Sequence, residues 1–213
     1  MPTRSRAILP ELRRQIVMNE LEPGTALTEL AEAARYGASQ GAVREALIRL
    51  EGEGLVARNG HRGTVVTPLD RETALEILDL RRRIEIRGSA SAATRATADD
   101  SAKLRALICR MQRNAEADDA WALIETDTEF HLTLFRISGL LAMEPILARC
   151  ILHTHRFRLW APWHRRPLLL TAARHETLVI ALERRNPDAL SRALADHLDT
   201  IVETPIKHEE NVA

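Results

Sequence analysis

Residues 37–56 carry the sequence GASQGAVREALIRLEGEGLV, which decides the fold of the first part of the chain. Gly37 is typical of the position just past a helix end, and Ser39 is a favourable N-cap for the helix that follows. The apolar residues of its predicted buried face recur at helical spacing: Val43, Leu47 and Leu50. Gly54 ends the pattern. The stretch therefore predicts a tight turn followed by a short capped helix.

Similar patterns on both sides extend this unit. Upstream, two further apolar stripes predict two more helices, before and after Pro23-Gly24; they are Ile8, Leu12, Ile16 and Val17, and then Leu27, Leu30, Ala31 and Ala34. Downstream, residues 55–58 and 64–67 flank a turn signal at Asn59-Gly60, which predicts a β-hairpin. Two short helices joined by a tight turn and followed by a hairpin wing are a known way to enter a DNA major groove.

The remainder of the chain, after Asp70, has only helical patterns. The predicted segments cover residues 71–96, 100–117, 120–138, 143–160, 167–185 and 187–209. Short connections between about six helices predict an antiparallel bundle. We therefore expect a mainly α protein, with a winged helix-turn-helix domain over residues 1–68 and an all-α bundle over residues 69–213.

Composition narrows the class of protein. Lys plus Arg and Asp plus Glu both number 30, so the chain has no net charge. This balance argues against wholesale electrostatic binding to nucleic acid but still permits a protein that reads a groove locally. No apolar run is long enough for a membrane span, and the N-terminus lacks a signal-peptide core. Cys109 and Cys150 form no metal or disulfide pattern. These features favour a cytoplasmic protein without a membrane partner.

The exposed side of the third helix carries the candidate DNA contacts. The first turn of a recognition helix meets base edges, and arginine can donate two hydrogen bonds to guanine. The predicted contacts on this helix are Ser39, Gln40, Gly41, Arg44 and Arg49, the last more suited to phosphate or to the neighbouring helix; those at the wing tip are His61, Arg62 and Gly63. Any one of them alone reads as an ordinary solvated residue. The ordered set of helices and wing favours DNA binding.

These elements resemble the N-terminal domain of the GntR family of bacterial transcriptional regulators. The resemblance covers residues 7–67 and is specific in the segments 43–47, 50–51 and 54–56. Family members usually carry arginine where Gln40 stands and often proline where Ala42 stands. Because glutamine can read adenine, the Gln40 departure indicates either a shifted operator sequence or weaker binding.

The predicted bundle has apolar stripes interrupted by residues of metal-ligand type. Asp127 and His131 are four residues apart, which places both on one side of a helix, and His175 and His197 interrupt the stripes of two later helices. Buried polar groups need partners, and three imidazoles with a carboxylate could surround one divalent cation. A histidine on an apolar face is also commonly a hydrogen-bonded core residue. The residues alone leave the two interpretations evenly balanced.

The second half also resembles the FCD effector domain of the FadR-like branch of the GntR family, in its shorter, VanR-like form. The resemblance covers about residues 72–204 and implies a metal held by Asp127, His131, His175 and His197. It further implies a small carboxylate effector that completes the metal coordination, with Arg81 lining the pocket, although Arg81 also reads as a solvated helix charge. Leu140 stands where many members carry an asparagine that contacts the effector. Histidine ligation makes zinc our first choice, with nickel or manganese as alternatives.

Together these patterns predict a homodimeric regulator that binds a palindromic double-stranded operator and is not an enzyme, with repression the favoured mode. Two alternatives stay open: a regulator for which the cation itself is the signal, and a metalloenzyme with Glu176 as base. The second is disfavoured, because Glu176 follows His175 and points some 100° away from it on a helix. The remaining histidines are set aside as non-ligands: His153, His155, His164 and His208.

Overall fold

The computed structural model describes residues 8–60, 63–160 and 167–201. The described residues group into two compact units, which divide between Ala74 and Leu75. The division lies within the first helix after the wing, a few residues beyond the predicted domain boundary at 68/69. None of the described helices is long and apolar enough to cross a membrane.

The first unit combines three helices with a small sheet. Its elements are α1 (Ile8–Val17), β1 (Ala26–Leu27), α2 (Glu29–Tyr36), α3 (Gln40–Gly52), β2 (Val56–Arg58) and β3 (Thr64–Val66). The strands are antiparallel in the order β1-β3-β2, so β3 pairs with both others. A hydrogen bond from the backbone N–H of Ala42 to Oγ of Ser39 caps α3, and Gly37 takes the left-handed conformation, φ 60°, that ends α2.

The stripe predicted for the second helix is wrong in two respects. Leu27 lies in β1 and is buried there, and the helix begins only after Thr28, which caps it through a hydrogen bond from Ala31 N–H. Leu30 is 69% exposed, and the buried positions of α2 are Glu32 and Ala33. A two-residue strand is too short for periodicity to separate it from the helix that follows.

The second unit is helical throughout its described residues. Its helices are α4 (Arg71–Arg95, which begins in the first unit), α5 (Ala98–Glu116), α6 (Ala120–Ile137), α7 (Glu144–Trp160), α8 (Leu168–Ala173), α9 (Glu176–Glu183) and α10 (Pro187–Asp199), with a 3₁₀ turn at Leu141–Met143. Thr97 and Asp100 form a reciprocal capping box at the start of α5, and Asn186 caps α10 ahead of Pro187. The mainly α fold, with a winged helix-turn-helix followed by a helical domain, is confirmed.

The predicted helix over residues 167–185 is wrong, because it is divided into α8 and α9 at His175. The imidazole of His175 explains the division. Its Nδ1 lies 3.0 Å from the carbonyl oxygen of Thr171, which is the acceptor that the backbone N–H of His175 would use in a continuous helix. The backbone N–H turns instead to the carbonyl of Ala172 at 3.3 Å. The predicted continuation of the last helix to residue 209 reaches beyond the described residues, and α10 itself ends at Asp199.

A buried apolar cluster holds the bundle together. It draws on α4, α5, α6, α8, α9 and α10, and its largest members include Leu104, Met111, Phe130, Leu178 and Leu190. The stripes predicted for α6, α9 and α10 supply part of it. The polar interruptions of those stripes consequently meet at one place in the bundle.

Candidate nucleic-acid interface and metal centre

The first turns of α3 present an exposed polar face. Gln40, Gly41 and Arg44 are all exposed, while Val43 and Leu47 on the other side of the helix are buried. A face of this kind can enter a groove without disturbing the core, as a recognition helix requires. Ser39 caps the helix, so its hydroxyl is engaged with the backbone in this structure.

Arg44 does not project freely from this face. Its guanidinium makes a two-point ion pair with Glu29 of α2, with Nε to Oε1 at 2.7 Å and the second nitrogen to Oε2 at 2.6 Å. Arg49 pairs with Glu45 one turn away on α3 at 2.9 Å. Each pair is exposed and therefore weak in water. Contact with DNA would exchange these glutamates for base edges or phosphates.

Two further residues of this surface, Ile48 and Arg58, carry no recognisable signal in the sequence. Ile48 follows Arg44 by one turn on the exposed side of α3 and is 50% exposed, which suits apolar contact with a thymine methyl group. Both residues line a groove of about 550 Å³ between α3 and the wing, together with Gly63. Gly63 has φ 72°, and its carbonyl accepts a hydrogen bond from Asn59 N–H, which closes the hairpin. His61 and Arg62 lie outside the described residues.

The four predicted metal ligands come together in the second unit. Asp127 is buried on α6, and its two carboxylate oxygens face imidazoles from three directions. Oδ1 lies 3.1 Å from Nε2 of His175, while Oδ2 lies 3.8 Å from Nε2 of His131 and 3.1 Å from Nε2 of His155. The ligand atoms of His131, His175 and His197 all lie within 4.8 Å of one another. Asp127 is therefore the common neighbour of the cluster.

Hydrogen bonds fix the orientation of two of these rings. Nδ1 of His131 lies 2.7 Å from Oε2 of Glu85, which is buried on α4, and Nδ1 of His175 lies 3.0 Å from the Thr171 carbonyl. Both partners only accept, so each neutral ring carries its hydrogen on Nδ1 and turns the lone pair of Nε2 toward Asp127. Within the described part of the chain, neither Nε2 atom has a hydrogen-bond partner.

The contact between His175 and Asp127 is more favourable with a cation beside it than without one. The Nε2 lone pair of His175 and the carboxylate of Asp127 are both electron-rich and stand 3.1 Å apart, so they repel each other unless a proton or a metal ion lies near both. Nitrogen from imidazole together with one carboxylate oxygen is a donor set that suits zinc. The four residues therefore fit a divalent ion by their chemistry as well as by their proximity.

Burial sets the charge of the groups in the cluster. It lowers the pKa of His197 well below its usual value, and His175 and His131 lower it further. It also lowers the pKa of His155 to about 4, although Asp127 opposes that shift. For Asp127, burial raises the pKa, but His155 opposes burial and the pKa stays well below the usual range. Near neutral pH, the imidazoles of His197 and His155 are therefore uncharged, and the carboxylate of Asp127 beside them is ionised.

His155 is the site residue that the sequence analysis set aside. It lies on α7 and is buried, and its Nε2 lies 3.1 Å from Oδ2 of Asp127. Its two-residue spacing from His153 gave no reason to place it there, because this contact depends on how α7 packs against α6. His164 and His208 lie outside the described residues.

Arg81 is buried rather than solvated, so its interpretation as a surface charge is wrong. Its Nε donates to Oε1 of Glu85 at 2.7 Å, and one terminal nitrogen donates to the hydroxyl of Thr154 at 2.8 Å. His131 and Arg81 hold the pKa of Glu85 at about 2 against the effect of burial, which raises it. Arg81 does line a small cavity beside Asp127 and His197. Leu140 is exposed and is not among the residues that line that cavity.

Glu176 does not support an enzymatic role. Its carboxylate forms an ion pair with Arg105 of α5, which also binds Glu183, and the side chain is 43% exposed. It is therefore directed to the surface of α9 rather than to the imidazole cluster, as its position after His175 predicts.

Comparison with known proteins agrees with these assignments of fold. A profile described as "Bacterial regulatory proteins, gntR family" matches residues 4–66, and the FCD domain profile matches residues 76–200. The Nta operon transcriptional regulator of Aminobacter aminovorans is 30% identical over 192 residues, which cover 88% of this chain and 89% of that protein. The transcriptional repressor RspR of Escherichia coli is 28% identical, covering 91% of this chain and 85% of its own.

Solved structures show the same architecture. E. coli McbR/YncC superposes with a TM-score of 0.77 at 21% identity, covering 94% of this chain and 95% of that one. A putative GntR regulator from Rhodococcus sp. RHA1 gives a TM-score of 0.72 at 23% identity, with 92% and 94% covered. At these identities the likeness concerns the fold alone.

A winged helix followed by a helical domain of this kind defines a class, that of DNA-binding transcriptional regulators, and the named relatives are regulators rather than enzymes. Within that class, the chain belongs to the GntR family of bacterial regulatory proteins and carries an FCD domain.

Proposed function

We propose that this regulator is a cytoplasmic repressor whose affinity for its operator is set by a small carboxylate bound at a divalent metal site. One observation carries the metal part. Asp127 and three histidines converge in the bundle, and the Nε2 atoms of His131 and His175 turn toward the carboxylate without a hydrogen-bond partner among the described residues. Zinc is the favoured ion, with nickel and manganese as alternatives.

Asp127, His131, His175 and His197 would hold the ion. When bound, the metal supplies positive charge and open coordination positions that attract an oxyanion. Glu85 keeps His131 in the tautomer that ligation needs, as carboxylates behind metal-bound histidines commonly do. The Thr171 carbonyl does the same for His175.

The link to DNA is an equilibrium between two arrangements of a homodimer. Two copies related by a two-fold axis would place two α3 helices on the half-sites of a palindrome. An effector changes operator affinity only if it binds one arrangement more tightly than the other. A carboxylate that binds the arrangement with poorly spaced α3 helices would release the operator, which is the behaviour of an inducible repressor.

Elemental analysis of the purified full-length protein tests the metal site. We expect about one equivalent of zinc or another divalent ion per chain, and its loss in His131→Ala and in His197→Ala. Cys109→Ser is the matched control, because Cys109 is an exposed thiol that could hold zinc adventitiously. Metal that survives both histidine variants but not Cys109→Ser would contradict the proposal.

Binding of the protein to its own upstream DNA tests the DNA face. Arg44→Gln should lose about 5- to 150-fold in affinity for that DNA, the range for losing one two-point contact to a base. Lys103→Gln is the control, because it removes an exposed cation of the bundle that lies far from α3 in sequence. Equal binding by Arg44→Gln and wild type would exclude Arg44 from base recognition.

A second candidate function has one observation in its favour. The cavity beside Asp127 has a volume of about 20 Å³, which is room for about one water molecule, so this conformation accepts an ion more easily than an organic acid. In that case the cation alone would be the signal. Titration of operator affinity with zinc in a carboxylate-free buffer separates the two: a full response without any organic acid favours the metal sensor.

A further inference from the structure

The cavity beside the imidazole cluster has an unbalanced lining. Its walls include Arg81, Asp127, His155, Arg158, Arg174 and His197, so three arginines face one carboxylate. Positive charge concentrated in a partly buried cavity favours an anion, since low local polarity strengthens the attraction. How much of that charge is already neutralised depends on the partners of each arginine.

Arg81 is neutralised within the protein. Glu85 accepts from its Nε, and Thr154 accepts from one terminal nitrogen, so the cation and its counter-charge are buried together on α4. Breaking this pair to bind a ligand would strand two buried charges, which is costly. Arg81 is therefore better suited to shaping the wall of the cavity than to binding an anion.

Arg158 has no such partner. It lies on α7, one turn after His155, and is half-buried; within the described residues no hydrogen bond or ion pair joins its guanidinium. Burial lowers the pKa of Arg158, with Asp127 acting in the opposite direction and Arg81 in the same one, so these two charges are its electrostatic neighbours. A guanidinium has five donors, and leaving them unpaired away from water is unfavourable.

Arg174 also has no ion-pair partner among the described residues. One of its nitrogens donates to the backbone carbonyl of Asp196 at 3.3 Å, which occupies a donor without cancelling the cation. With a divalent ion on the histidine cluster, Asp127 would offset one of the two metal charges, while no carboxylate of the described residues pairs with Arg158 or Arg174. A single carboxylate on the metal would therefore still leave the cavity positive.

We propose, building on the metal-centred function above, that the effector is a small dicarboxylate whose one carboxylate lies beside the metal ligands and whose other is held by Arg158. The planar fork of arginine matches a carboxylate by two parallel hydrogen bonds. Because the cavity of about 20 Å³ is smaller than any dicarboxylate, the ligand must move its walls to bind. Because Arg158 lies on α7, this helix, which also carries His155 and Thr154, is the wall that would move.

Thermal unfolding of the zinc-loaded full-length protein tests the second anchor. The probes are malonate, succinate and glutarate, each paired with the monocarboxylate of equal carbon number: propionate, butyrate and valerate. At least one diacid should raise the melting temperature of wild type more than its partner does. Arg158→Gln should lose that difference and keep its zinc. Arg149→Gln, which removes an exposed arginine of the same helix, should keep both.

The outcomes separate this inference from the function on which it rests. If the acids of both kinds stabilise wild type and Arg158→Gln equally, the carboxylate-responsive site stands and the second anchor is wrong. If the diacid advantage survives in Arg158→Gln, or is lost equally in Arg149→Gln, the assignment to Arg158 is also overturned. If no acid stabilises the zinc-loaded protein, the carboxylate function itself fails, and this inference fails with it.

Discussion

At the scale of single residues, Glu85 joins the two charged systems of the bundle. One carboxylate oxygen accepts from Arg81 and the other from His131, so one side chain orients a predicted ligand and neutralises a buried cation. Glu85→Gln keeps the shape but removes the charge that holds the hydrogen on Nδ1 of His131. Zinc affinity should fall about 10- to 100-fold, as it does for such supporting carboxylates.

Competition with a chromogenic chelator at pH 7.5 measures this change in affinity. Glu125→Gln is the matched control, because it is an exposed glutamate of the helix that carries Asp127 and His131. The two variants lose the same formal charge. Equal zinc affinity in Glu85→Gln and Glu125→Gln would show that the hydrogen bond to His131 contributes nothing to metal binding.

The depressed pKa of His155 predicts how the metal-free protein responds to acid. The pKa is about 4 in the folded chain and about 6.5 when unfolded, so between these values only the unfolded chain takes up the proton. His155 alone should therefore leave stability unchanged above about pH 6.5 and lower it by about 1.4 kcal/mol for each pH unit between about 6.5 and 4. His197 shifts in the same direction, whereas Asp127 stays charged throughout this window.

Denaturant unfolding in the presence of a chelator, at pH 7.5, 6.0 and 5.0, measures this dependence. His155→Gln removes one titrating ring and should reduce the slope between pH 6.0 and 5.0 by about one proton. Stability that does not change between pH 7.5 and 5.0 would mean that these imidazoles take up protons as readily in the folded chain as in the unfolded one.

At the scale of elements, two glycines at the ends of neighbouring helices predict opposite effects of the same substitution. Gly37 ends α2 at φ 60°, a conformation that a side chain disfavours, so Gly37→Ala should destabilise the first unit by about 1 kcal/mol. Gly52 is the last residue of α3, and a Cβ there meets nothing within 4 Å, so Gly52→Ala should stabilise it by about 0.4–1 kcal/mol. Thermal unfolding of both variants checks the signs, and a change in the same direction for both would contradict them.

The sequence predicts those features that follow from the spacing of residues along one helix, and it does not predict those that depend on contacts between helices. The four-residue spacing of Asp127 and His131 fixes their common helix face, and apolar stripes place His175 and His197 inward, so these positions follow from periodicity. His155 and Glu85 do not, because their contacts with Asp127 and His131 join different helices across the bundle. The division between α8 and α9 at His175 does not follow from periodicity either. It depends on the imidazole of His175 taking the place of its own backbone N–H at the Thr171 carbonyl.

At the scale of the whole molecule, the absence of net charge agrees with the pairing on the DNA face. Arg44 and Arg49 each meet a glutamate of their own domain, so α3 does not present a field of unpaired cations. Non-specific DNA affinity comes mainly from such cations. We infer that binding to DNA depends on operator sequence more than on charge.

If the metal site controls the operator through binding alone, the coupling must be equal in both directions. We expect a diacid that binds the zinc-loaded protein to weaken operator binding by about 5- to 150-fold, the usual range of coupling between two sites. By linkage, saturating operator DNA must weaken diacid binding by the same factor. Fluorescence anisotropy of labelled operator at increasing malonate gives the first factor, and calorimetric malonate binding with and without operator gives the second.

His131→Ala, which should lack metal, is expected to show neither effect. A diacid that binds the zinc-loaded protein but leaves operator affinity unchanged would exclude this switch, because a ligand that binds both arrangements equally shifts no equilibrium between them.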